Sequence, residues 1–77
     1  MPDHTYKIVT LVGSSDKGIQ QALDSAFERA SQTLRNLDWF EVKEIRGAFA
    51  PDGKPGWYQV RVDVGFRVED SADMARG

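Results

Sequence analysis

The stretch Asn36-Leu37-Asp38-Trp39-Phe40-Glu41-Val42 ends a helical pattern, opens a strand and sets two aromatic rings side by side. Neighbouring side chains on a strand point to opposite faces, so Phe40 and Val42 share one face and Trp39 and Glu41 the other. A single core can hide only one of the two rings. Phe40 is expected to turn inward. The Trp39 indole is then left facing something outside its own core: another subunit, a planar ligand, or both.

Upstream of this stretch, Ile19, Ala22, Leu23, Ala26, Phe27, Ala30, Thr33, Leu34 and Leu37 recur at three- and four-residue spacing. That spacing predicts one apolar stripe along a helix of about five turns. Ala22, Ala26 and Ala30 form a row of small residues that permits close packing on a sheet. Ser14 or Ser15 is the expected cap, with Asp16 in the first turn and Arg29 and Arg35 toward the negative end of the helix dipole. Earlier still, Tyr6 to Val12 is rich in β-branched and aromatic residues and is bounded by Gly13-Ser14-Ser15, which reads as a strand. Tyr6, Ile8 and Val12 fall on one face and Val9 and Leu11 on the other. A strand apolar on both faces is covered on both, and in so short a chain the second cover is expected from a neighbour.

Downstream, Trp39 to about Ala50 forms a second strand, Pro51 to Gly56 a turn, and Trp57 to about Glu69 a third strand. In the third, Tyr58, Val60, Val62, Val64, Phe66 and Val68 alternate with Trp57, Gln59, Arg61, Asp63, Gly65 and Arg67, giving one dry face and one polar face. The fold class is therefore α+β: a β-α-β-β chain whose three-stranded antiparallel sheet packs on one long helix. Strand order is left open. Residues 1–69 make one domain, and residues 70–77, without periodicity, are expected to fray.

A chain of 77 residues is a marginal domain. Apolar burial contributes on the order of 115 kcal/mol at ~25 cal/mol/Å². Ordering the chain costs about the same, at ~1.5 kcal/mol per residue. Cysteine is absent, which excludes disulfides and thiolate metal sites. Self-association is the remaining source of stability. A net charge of −2 argues against non-specific nucleic-acid binding. No apolar run reaches the ~20 residues of a membrane span, and Met1-Pro2-Asp3-His4 lacks the layout of a signal peptide, so a soluble cytoplasmic protein is expected.

Trp39 and Gln59 lie on the non-core parity of the two hairpin strands. A flat ring and an amide with both donor and acceptor suit a planar heterocycle with a polar edge; a subunit contact made by Trp39 is the plainer alternative. Arg46 and Arg67 could stack on an aromatic plane or bind phosphate, or pair with Glu44 or Asp63. For Arg61 the ion pair is preferred. His4, the single imidazole, has no nucleophile near it in sequence, and no catalytic residue is identified. Asp38, Glu41 and Glu44 are a weak basis for a cation site, and no metal is assigned.

From His4 to about Glu69 the chain resembles the dodecins, small flavin-binding proteins. The resemblance is carried by Tyr6 to Ser15, by Arg29 to Val42 with its Asp38-Trp39-Phe40-Glu41-Val42 block, by Ile45-Arg46-Gly47, by Tyr58-Gln59-Val60 and by Val64-Gly65-Phe66-Arg67. It implies a hollow homododecamer holding flavins as stacked pairs between symmetry-related indoles. On that resemblance Trp39 stacks on the isoalloxazine, Gln59 hydrogen-bonds its pyrimidine-like edge and Arg46 lies at the flavin site. FMN is the implied cofactor, with riboflavin or FAD as alternatives. Coenzyme A is a further implied ligand, with Arg67, Arg29 and Arg35 toward its phosphates. The implied role is flavin storage, buffering and photochemical quenching without turnover. The alternative is a non-catalytic structural oligomer without flavin. Trp57 stands outside the family pattern, so that it either extends the pocket or covers the hairpin end.

Overall fold

The computed structural model describes residues 4–68, and the expected fraying beyond residue 69 lies outside that range. The elements are β1 (Tyr6–Ser15), α1 (Ile19–Thr33), β2 (Leu37–Phe49) and β3 (Pro55–Arg67). They form one antiparallel sheet in the order β1-β3-β2, so the strand with the cleanest alternation lies at the centre. β3 places Val60, Val62 and Val64 under the helix, all buried. Ala22, Ala26 and Ala30 are the buried residues of α1 and bring it down close to the sheet. Gly13 on β1 makes that approach possible. A Cβ at this position would run into the Ala22 carbonyl oxygen and come against the Ala26 methyl.

The helix is shorter than its apolar stripe suggests. It ends at Thr33; Leu34 is extended, with its N–H donating to the Ala30 carbonyl, and Leu37 is the first residue of β2. The chain reverses at Asn36, which adopts φ 61°, a left-handed conformation that Asn tolerates better than most residues. Its carbonyl accepts from Arg67 N at 3.0 Å, and its side-chain amide donates to the Arg67 carbonyl at 3.3 Å, pinning the start of β2 to the end of β3. Leu37 therefore keeps its inward face but belongs to the sheet.

The expected cap also differs. β1 runs on through Ser15, and Gly18 is the N-cap, with no side-chain cap hydrogen bond. Ser15 Oγ instead accepts from Lys17 N, closing a local turn. No acidic residue falls in the first turn of α1 and no basic residue in the last, so Asp16, Arg29 and Arg35 do not play the dipole roles assigned to them.

The helix packs on β1 and β3 and reaches β2 only marginally. Phe40 does turn toward the helix side, where its ring sits 4.7 Å from that of Phe27, yet it remains 57% exposed. Val42 and Ile45, on the same face, are exposed as well. Expected core residues of β2 thus lie bare in the single chain.

Candidate functional site

The face of the sheet turned away from the helix carries Tyr6, Ile8, Thr10, Val12 and Ser14 from β1, and Trp57, Gln59, Arg61, Asp63, Gly65 and Arg67 from β3. From β2 it receives Trp39, Glu41, Glu44, Arg46 and Ala48. Regular alternation would not put Trp39 and Arg46 together, because one number is odd and the other even. A register shift between Val42 and Glu44 makes Lys43 an extra residue opposite β3, and that bulge switches the parity of everything after it. The trace in the sequence is the phase slip of the apolar positions, from Phe40 and Val42 to Ile45. It was not part of the expectation.

Trp39 pairs with Gly65, and Ile8 lies across Gly65 on the other neighbouring strand. A Cβ on Gly65 would fall inside the six-membered ring side of the Trp39 indole. The indole therefore lies down on the bare backbone of β3, with one face covered and the residue still 40% exposed. Beside it, the Tyr6 hydroxyl bonds to Asp38, which raises its pKa above the usual tyrosine value. Burial and the Asp38 charge add to this, and Arg67 opposes it.

Farther along, Ser14, Gln59 and Arg46 stand in one row across the three strands. Gln59 Nε2 donates to Ser14 Oγ at 3.1 Å, and Arg46 Nε donates to Gln59 Oε1 at 3.2 Å. Arg46 and Gln59 line a shallow hollow with Val12, Glu44 and Arg61. Arg46 thus takes neither of the expected carboxylates. Glu44 pairs with Arg61 at 3.6 Å, and Asp63 accepts from the Thr10 hydroxyl at 2.7 Å. Trp57 is two positions from Gln59 on the same face, opposite Ala48 and half exposed.

The expected pairing of Trp39 with Gln59 does not occur within one chain. Gly65 and Gln59 are six residues apart on β3, about 20 Å at ~3.4 Å per residue. That exceeds the length of a three-ring heterocycle, so within one chain the indole and the amide row cannot meet the same such ring.

Of the other candidate arginines, Arg29 and Arg67 line different hollows. Arg67 is near Asn36, Leu37 and Asp38 at one end of the sheet. Arg29 lines a cleft of about 360 Å³ between α1 and β1, with Leu11, Val12, Ser25, Ala26, Glu28 and Gln32. Arg35 lies in the connection between α1 and β2. Among the described residues no group of three or more His, Cys, Asp or Glu is placed to hold a metal ion. No helix among them is long and apolar enough to cross a membrane.

The family model for Dodecin matches residues 5–69. A curated dodecin of Thermus thermophilus is 53% identical over 66 residues, covering 86% of this chain and 94% of its own length. The solved dodecin of Streptomyces coelicolor is 49% identical, with a TM-score of 0.83 over 92% of this chain and the whole of its own. A calcium dodecin of Mycobacterium tuberculosis, described as calcium-chelating with a calcium-binding site, is 27% identical with a TM-score of 0.72, over 87% and 94% of the two chains. The chain belongs to the dodecin family.

Proposed function

We propose that this protein stores and buffers flavin, holding FMN in stacked pairs where subunits of a homododecamer meet, and that the stacked indole quenches the photochemistry of the bound flavin. The observation that carries the reading is the Trp39 indole packed on the bare backbone of Gly65 while the residue stays 40% exposed. A flat, electron-rich ring with one free face is built to receive another flat ring.

The second half-site supports the same reading. Gln59 offers an amide donor and acceptor, and Arg46 adds a cation with two further guanidinium nitrogens beyond the one bonded to Gln59. Because some 20 Å of sheet separates the two halves, one isoalloxazine that meets both takes the indole from one protomer and the amide from another. Binding and assembly are then linked. Among the described residues the only hydroxyl bonded to Gln59, that of Ser14, accepts from its amide rather than facing a general base, and the role is custody of the cofactor in the cytoplasm rather than turnover. Coenzyme A is left without support of its own, since Arg29 and Arg67 line different hollows.

Titration of the purified protein with FMN, riboflavin and FAD, read by loss of flavin fluorescence, tests the reading. Wild-type protein should quench FMN. Trp39→Ala should weaken binding by about 1–3 kcal/mol, as for other base–aromatic stacks. An unchanged affinity in that variant would remove the indole from the site. Assembly without any flavin quenching would leave a structural oligomer.

A further inference from the structure

We propose that Ser14 and Arg46 are positioning residues that fix the sense of the Gln59 amide, so that the site reads a cis-imide edge, an N–H next to a carbonyl, with the carbonyl toward β1 and the N–H toward β2. The inference rests on the flavin-binding reading and adds to it a built-in polarity.

Gln59 stands on the central strand, with Ser14 on one side and Arg46 on the other. Its nitrogen is drawn toward β1 by Ser14 Oγ, and its oxygen toward β2 by Arg46 Nε. The C–N and C–O bonds of a planar amide diverge, so anchoring them on opposite neighbours directs the edge between them away from the sheet. Each anchor uses half of its group's capacity. One N–H and one oxygen lone pair remain, side by side on that outward edge. This pair complements a ligand edge in which a carbonyl and an N–H are adjacent.

The sense of the amide is not free to reverse. A serine hydroxyl both donates and accepts, so Ser14 alone would tolerate either orientation. The guanidinium only donates, and a flipped amide would set Nε2 against Arg46 Nε, donor to donor. Arg46 therefore selects the orientation and Ser14 supplies the acceptor that completes it. The carbonyl of a bound imide is then held on the β1 side and its N–H on the β2 side. The isoalloxazine carries a carbonyl on each side of its imide N–H, so either carbonyl meets the β1-side donor while the N–H stays on the β2 side.

FMN and FMN methylated at N3, which lacks the imide proton, are the probes. Affinity is read by flavin quenching and assembly by size-exclusion chromatography. Wild-type protein should prefer FMN by at least about tenfold, the cost of leaving the Gln59 acceptor facing a methyl group. Ser14→Ala should weaken FMN binding by about fivefold and cut the preference to below about threefold, because the amide, anchored then only through its oxygen by Arg46, no longer holds its donor–acceptor edge outward. Ser14→Thr, which keeps the hydroxyl, should restore both. Should Ser14→Ala not assemble, Ser14→Cys, close in size but a weak acceptor, gives the same readout. An assembled Ser14→Ala or Ser14→Cys protein with the wild-type preference would overturn the inference. So would a wild-type protein that quenches both probes equally, which leaves the flavin reading standing. Wild-type protein that quenches neither overturns both.

Discussion

Gly65 matters for what it leaves open. Opposite Trp39 any larger residue would lift the indole off the sheet, since a Cβ there occupies the space of the ring. Gly65→Ala should therefore displace the indole while leaving β3 in register, because alanine adopts the extended backbone without strain. The expected outcome is a red-shifted tryptophan emission and an FMN affinity lowered about 5- to 100-fold, within the range of losing a base–aromatic stack. An unshifted emission spectrum with wild-type FMN affinity would show that the glycine floor is not required. The same geometry explains why reading Trp39 by parity alone was right in direction and incomplete in form. Alternation tells which face a ring is on; it does not tell that the opposing residue lacks a side chain for the ring to lie upon.

At the scale of elements, the pairing of a helix with a sheet was legible because two periods ran without interruption. Ala22, Ala26 and Ala30 repeat every fourth residue, and Val60, Val62 and Val64 every second, and these six residues are the buried apolar core. Gly13 completes that contact, and Gly13→Ala should destabilise the assembled protein by about 1–3 kcal/mol, as overpacking does. Urea midpoints at matched protomer concentration would measure it. Boundaries were less legible where two elements share a pattern. Leu34 and Leu37 continue the helical spacing, but Asn36 in the left-handed region turns the chain between them, and the face that Leu37 covers is reached from the sheet instead. The bulge at Lys43 was hidden for a related reason. A strand with both faces partly apolar gives little warning when its phase slips by one, and here the slip is what carries Arg46 onto the face of Gln59.

For the whole molecule, the difficulty is β2. It is an edge strand of 13 residues whose inward face the helix barely reaches, and Phe40, Val42 and Ile45 stand exposed on it, with Phe49 at 82% near the hairpin end. Exposed apolar side chains in a row, on a chain whose largest fully buried residue among those described is valine, are the surface that the proposed assembly would cover. For the proposed homododecamer, twelve chains of 8.6 kDa give about 103 kDa, the mass that light scattering should read. Ile45→Glu separates the isolated fold from the assembly. Ile45 is about half exposed in the single chain, so a carboxylate there meets water and costs that chain little. In an oligomer that covers β2, the same carboxylate is buried without a partner, which strongly disfavours association. The variant should elute as a small species. Although Trp39, Gln59, Ser14 and Arg46 are all untouched, it should also lose FMN quenching, because the indole and the amide row then no longer face each other from different protomers. A small species that still quenched FMN with wild-type affinity would place the whole site within one chain, against the 20 Å that the strand register sets between its halves.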